Sequence, residues 1–363
     1  MKKIIAAITA AAICIVFTAC SAQQEQSTDT TIQSAQTTAG TTQTTPEWEW
    51  QKDDPDHQGL DSGVLDGVHS TFDSFNLLSS VIVKNGYIVD EYYKDGYDES
   101  SVFVLNSASK SVTSALVGIA IDKGFIESVD VHISEYFPQI LQNSDSRWAQ
   151  ITVRHLLNHT SGIATTDDSG WNNWRNSDNW IEYILDLSIV SEPGSEFSYS
   201  TGNTHLLTAV LEQATGMSEY AFGQRYLFGP VGMESVRIDT DAQGVSDGGN
   251  GIWMTPYDMA RFGLLYMNNG VWQGEQIISR QWIEDSTSVQ YDRNTGSADY
   301  GFQWWVRTFG DNDYPAFFAQ GHGGQYIFVV PQIELVVAFT SNYTGQSGIY
   351  WQLVNRIVNA CSE

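Results

Sequence analysis

The sequence predicts an α/β fold of the α+β kind: one antiparallel sheet flanked by helices, with an inserted, mainly helical lobe. Two β-rich hairpins, one near each end of the folded part, and a series of helical patterns between them point to it. The first hairpin spans residues 80–93, where two strand-forming runs meet at Asn85-Gly86, a pair suited to the positive φ angles of a tight turn. The second joins residues 325–330 to 335–340 through a turn at Pro331-Gln332, and a further strand is expected over 300–306. Between them lie helical patterns at 107–123, closed by Gly124, at 153–158, at 180–187, at 204–215, closed by Gly216, and at 255–267. The helical lobe is expected over about 126–254.

The chain has 363 residues, 42% hydrophobic and 17% charged, which is globular composition for most of its length. Against 17 Lys+Arg stand 43 Asp+Glu, a formal charge of -26 that repels phosphate backbones and excludes nucleic acid as a partner. Cysteines at 14, 20 and 361 are too few and too scattered for a disulfide framework or a cysteine-ligated zinc. Lys2 and Lys3 precede an apolar run over 4–19 that is shorter than the roughly 20 residues a membrane span needs. It ends at Thr18-Ala19-Cys20, which looks like a bacterial lipobox. Residues 1–19 are therefore expected to be a lipoprotein signal peptide and Cys20 the lipidation site, with plain secretion as the alternative. Residues 20–50, rich in Ser, Thr and Gln, are expected to be a disordered tether, and 51–363 the folded domain. The expected location is the bacterial cell envelope, on the outer face of a membrane through the lipid.

Three segments carry candidate chemistry. Ser107-Ala108-Ser109-Lys110 opens a helix whose continuation, residues 115–121, is apolar on every face and therefore buried. Serine and lysine three apart share a helix face, and burial lowers the lysine pKa, so Lys110 is placed to accept the Ser107 proton. An ordinary cap serine beside an exposed lysine is the competing account. Phe197-Ser198-Tyr199-Ser200-Thr201-Gly202-Asn203 reads as a loop before a helix, with Tyr199 a phenol that a nearby amine helps to deprotonate. Gly321-His322-Gly323-Gly324-Gln325 lets a substrate lie against a strand edge, with the Gln325 N–H as oxyanion donor opposite that of Ser107. Taken singly, the last two segments read rather as a buried tyrosine and a glycine-rich turn before a strand.

In this order the segments resemble the serine β-lactamase and penicillin-binding-protein superfamily, in its class C-like branch of related hydrolases and esterases. Residues 151–162, 248–263 and 300–305 share the resemblance, which extends over about 80–354. It implies a β-lactamase-like fold, Ser107 as nucleophile, Lys110 as its base, Tyr199 as the proton-handling phenol, and the amides of Ser107 and Gln325 as the oxyanion hole. His322, Gly323, Gly324 and Thr201 are the implied substrate-binding positions, and no metal or cofactor is implied. Two departures stand out. Thr201 occupies the asparagine position of the family's Tyr-x-Asn, and His322-Gly323-Gly324 stands where β-lactamases and DD-peptidases have Lys-Thr-Gly. No lysine follows Lys123, so only an arginine such as Arg293 or Arg307 is left to meet a substrate carboxylate. Both departures resemble members that hydrolyse esters or small amides, such as esterases and aminohexanoate-oligomer hydrolases. The alternatives are a β-lactamase or DD-peptidase and a non-catalytic sensor that keeps the fold.

Other motifs point elsewhere. Gly244-Val-Ser-Asp-Gly248 matches a nucleophile elbow but lacks the flanking strand and helix. His155 and His159 have the spacing of zinc ligands without the glutamate of a metalloprotease. Trp171, Trp174 and Trp180 either roof a cleft or pack a loop.

Overall fold

The computed structural model describes residues 48–168, 170–345 and 348–362. The segment expected to be a signal peptide, Cys20 and the expected tether up to residue 47 lie outside the described residues. Seven strands form one antiparallel sheet: β1 (Leu77–Lys84), β2 (Tyr87–Tyr93), β3 (Asp299–Tyr300), β4 (Trp305–Phe309), β5 (Tyr314–Gly321), β6 (Gln325–Val330) and β7 (Leu335–Ser341). Their spatial order is β2-β1-β7-β6-β5-β4-β3. The hairpin at Asn85-Gly86 forms as expected, with φ of 53° and 83° at those two residues. β1 then pairs with β7, Val81 opposite Ala338 and Val83 opposite Val336, which joins the N- and C-terminal segments in mid-sheet. The single strand expected over 300–306 is two, because the chain leaves the ladder between Tyr300 and Trp305, where Gln303 has φ 63°. β5 lies outside the elements the sequence predicts.

Helices in chain order are α1 (Ser62–His69), α2 (Ser109–Asp122), α3 (Val153–Leu157), α4 (Trp171–Arg175), α5 (Trp180–Leu185), α6 (Thr201–Thr215), α7 (Glu219–Gly223), α8 (Pro256–Met267), α9 (Arg280–Thr287) and α10 (Gly348–Asn359). Alternation along the strands feeds two cores. Ile82, Phe328 and Phe339 pack with Leu65 of α1 and Leu353 of α10, while Val81, Ile327 and Val336 pack with Val112 and Leu116 of α2 and Met259 of α8.

α2 is buried from Ser109 to Ala120, as its all-round apolar pattern predicts. Its polar residues are not orphaned, because buried hydroxyls need partners. Ser111 and Ser114 donate to the carbonyls of Gln303 and Phe302, each at 2.7 Å. The Gln303 amide in turn donates to Leu157 O at 2.7 Å and accepts from Thr204 Oγ1 at 2.8 Å, which ties α2, α3 and α6 into one block.

Three boundaries differ from expectation. The folded body starts by Trp48, whose ring sits 4.6 Å from that of Trp272, and not at residue 51. α6 starts at Thr201, so the second half of the segment expected to be a loop is helical. Ser107 does not open α2: it lies in a 3-10 turn, Asn106–Ala108, immediately before it, with Asn106 at φ 49°.

Candidate active site

The turn that carries Ser107 is clamped to the sheet at two points. Asn106 Nδ2 donates to His322 O at 2.8 Å. Leu105 meets β5 at Gly321, where a Cβ would lie 2.0 Å from the Leu105 carbonyl oxygen, so only glycine permits the approach. Gly321 is the register partner of Gln325 across the β5–β6 hairpin, and this brings the Gln325 backbone beside the Ser107 turn. Ser107, Tyr199, His322, Gly323 and Gly324 line one cleft of about 280 Å³, with Trp305 and Tyr343 among its walls. Gly323 and Gly324 have φ of 83° and 96°, the conformation their residue type allows, and His322 is exposed at the lip.

Behind the cleft Lys110 is fully buried. Its Nζ lies 3.3 Å from Ser107 Oγ, 3.0 Å from Thr201 Oγ1 and 2.8 Å from Gly249 O. Burial lowers its pKa to about 8, against the opposing pull of the Asp167 and Asp247 carboxylates. The amine is therefore neutral in a sizeable fraction of molecules near pH 8. The carbonyl at Gly249 comes this close because its neighbour is also glycine: a Cβ at Gly248 would lie 2.5 Å from oxygens of Glu219, Thr113 and Thr208.

Tyr199 is half-buried, packed against the His159 ring at 4.6 Å and stacked on Trp305 at 6.0 Å. The Lys110 nitrogen lies 5.0 Å from its ring centre. The expectation that the amine eases loss of the phenolic proton is corrected. Burial of the phenol pushes Tyr199 above the usual tyrosine range, the Ser107 side chain opposes this only in part, and Asp167 adds to it. Tyr199 is a proton-bearing phenol.

Thr201 is also corrected. It is fully buried and faces Lys110 and Asp167 instead of lining the cleft. Asp167, which the sequence does not single out, accepts from Thr201 Oγ1 at 2.6 Å and from the Thr201 backbone N–H. Asn203, two residues further along α6, accepts from Ser161 Oγ at 2.9 Å and does not replace the missing amide. Among the described residues that line the cleft there is no lysine or arginine. Arg293 lies over the rings of Phe197 and Trp305, and Arg307 lies over Trp351.

The remaining motifs resolve into structure. Trp171, Trp174 and Trp180 surround Arg175, whose guanidinium lies 4.0 Å from the Trp180 ring centre and donates to Asp247 at 2.6 Å. They pack a loop and are absent from the cleft lining. Ser246 lies in a loop and donates to Glu212 at 2.7 Å. His155 accepts from the Thr152 N–H at the start of α3, while His159 forms the wall behind Tyr199.

With this geometry the comparisons agree. The family model for Beta-lactamase matches residues 78–357. The chain belongs to the beta-lactamase family. This beta-lactamase-family protein is 25% identical over 293 residues to 6-aminohexanoate-dimer hydrolase of Paenarthrobacter ureafaciens, which covers 75% of this chain and 74% of the relative. EstCE1, a hydrolase with promiscuous acyltransferase activity, superposes with a TM-score of 0.68 at 18% identity, covering 82% of this chain and 97% of its own. A class C beta-lactamase gives 0.68 at 15% identity, covering 83% and 97%. The β-lactamase-like fold expected from the sequence is the fold of this protein, and the beta-lactamase family to which it belongs is one of serine hydrolases.

Proposed function

We propose that this protein hydrolyses esters or small amides through an acyl-enzyme on Ser107. The observation that carries the reading is the contact between Ser107 Oγ and a fully buried Lys110 amine at 3.3 Å. In its neutral form the amine accepts the Ser107 proton as Oγ attacks the substrate carbonyl. The backbone N–H groups of Ser107 and Gln325 receive the developing oxyanion. The Tyr199 phenol passes a proton to the leaving group and is restored from Lys110. Water then attacks the acyl-serine, the carboxylic acid leaves, and Ser107 regains its proton.

An aromatic cleft whose described lining has no lysine or arginine favours uncharged acyl groups over substrates that present a carboxylate, such as β-lactams and peptidoglycan stem peptides. The test compares turnover of a short-chain aryl ester with that of a chromogenic cephalosporin and maps labelling by an active-site serine probe. Ester turnover with Ser107 labelled supports the reading. Rapid cephalosporin turnover without ester cleavage favours the β-lactamase alternative, and an unlabelled serine favours a sensor. The proposal also places the enzyme at the cell envelope, held by a lipid on Cys20. The mass of the mature N-terminal peptide tests this, since a diacylglyceryl cysteine there is distinct from a plain cleaved end.

A further inference from the structure

We propose that Asp167, acting through Thr201, is a positioning residue that aims the Lys110 lone pair at Ser107. The inference rests on the acyl-enzyme reading above and says how this chain makes its base directional. A neutral amine has two hydrogens and one lone pair. Gly249 O can only accept, so it takes one hydrogen at 2.8 Å. Thr201 Oγ1 lies 3.0 Å from Nζ and 2.6 Å from Asp167 Oδ1. The hydroxyl's single hydrogen goes to the carboxylate, the stronger acceptor, and its oxygen is left to take the amine's second hydrogen. Both hydrogens are then committed, and the lone pair faces Ser107 Oγ at 3.3 Å. Without the carboxylate, the Thr201 hydroxyl is free to turn and donate to the amine, which occupies the lone pair and disarms the base.

The carboxylate is itself held in place. The Asp167 N–H donates to Thr165 Oγ1 at 3.0 Å, and Thr166 Oγ1 donates to Asp167 Oδ2 at 3.1 Å. Four groups face the Lys110 amine besides Ser107 and Thr201. They are Asp167 from the loop after Ile163, Asp247 from the loop before Gly248, Tyr199 ahead of α6, and His159 after α3. Asp247 is already paired with Arg175 at 2.6 Å, so Asp167 is the carboxylate with a hydrogen-bonded path to the amine. The competing account is that Asp167 only caps α6, since it also accepts the backbone N–H of Thr201, the first residue of that helix.

The test uses the full-length chain with Thr201→Val, Thr201→Ser and Asp167→Asn. Thr201→Val keeps the backbone cap and removes the relay, and Thr201→Ser keeps both. Steady-state kinetics on a neutral aryl ester across pH are read together with the rate of Ser107 labelling and the titration of the Lys110 Cε resonance by NMR. Thr201→Val is expected to lower kcat roughly 10²-fold with KM nearly unchanged, and Thr201→Ser to restore most of it. Asp167→Asn is expected to lower kcat and to move the ascending limb of the pH profile, with the Lys110 titration, down by about 1 unit. The positioning role is overturned if Thr201→Val keeps wild-type kcat, or if Asp167→Asn loses thermal stability while the pH profile and the Lys110 titration stay in place. Should Asp167→Asn fail to fold, the valine and serine variants carry the test. If wild-type Ser107 resists labelling, the acyl-enzyme reading falls. The Lys110 titration still decides the Asp167 coupling in that case: a downward move supports it and none overturns it.

Discussion

At neutral pH most Lys110 side chains carry a proton that the base cannot afford to keep, because the group titrates at about 8 in its buried site. Only the neutral form accepts from Ser107. We therefore expect kcat/KM for a neutral ester to rise nearly tenfold per pH unit below about 8 and to level off above it, as measured by initial rates from pH 5 to 10. Ser107→Ala removes the nucleophile without removing a buried contact of any size, and is expected to lower turnover by at least ~10⁴-fold while the far-UV spectrum and melting temperature stay close to wild type. The Ser-x-x-Lys spacing, the tyrosine and the glycine-flanked histidine are legible as local strings. Asp167 is not, because it reaches the amine through a hydroxyl 34 residues along the chain and stands in a segment with no periodicity. Thr201 is legible as a departure from the family pattern, yet its burial, and hence its partner, is set by the fold.

Elements hold the site in place through two features that permit specific tests. α7 docks on α2 through Glu219, a wholly buried carboxyl. Thr113 Oγ1 lies 2.7 Å from Glu219 Oε1 and 2.8 Å from Gly248 O. The carbonyl can only accept, so the one hydroxyl hydrogen goes there and the carboxyl carries its own. Burial agrees: it raises the Glu219 pKa to about 8, and the Glu212 and Asp247 charges add to this. Between the unfolded value near 4.5 and about 8, the folded state holds a proton that the unfolded chain has lost. Stability therefore falls as pH rises through that window. Glu219→Gln keeps a donor toward Thr113 and removes the titration. It is expected to stabilise the protein at pH 8 by on the order of 4 kcal/mol and to change little at pH 4.5, as read by urea unfolding at both. Gly321→Ala forces the Leu105 turn off β5 and is expected to cost about 1–3 kcal/mol and at least tenfold in ester turnover. Helix α2 and both hairpins are legible because each announces itself locally, by an all-round apolar run or by an Asn-Gly turn. The start of α6 is hidden because its cap comes from Asp167, and the break between β3 and β4 because Gln303 leaves the ladder to bind α3 and α6.

The whole molecule combines a charge of -26 with a cleft whose described lining has no lysine or arginine. Its field disfavours anions and attracts cations over distances that salt screens. Raising ionic strength from about 0.01 to 0.5 M is expected to increase kcat/KM severalfold for an anionic ester, decrease it for a cationic one and leave a neutral one flat. The acidic balance and the two-ended sheet are legible from composition and from where the strand patterns fall. Their consequence for the cleft needs the tertiary neighbours. The seam between β1 and β7 also ties function to the order of synthesis. In a chain that ends between β2 and β3, the edge of β1 that β7 covers has no partner strand yet. A polypeptide stopped short of Leu335 leaves that edge of β1 unpaired, and such a truncation is expected to give an aggregating fragment rather than a weakened hydrolase, as read by its recovery in the soluble fraction. Closing the centre of the sheet therefore waits on the seven residues of β7, which are made after every other strand.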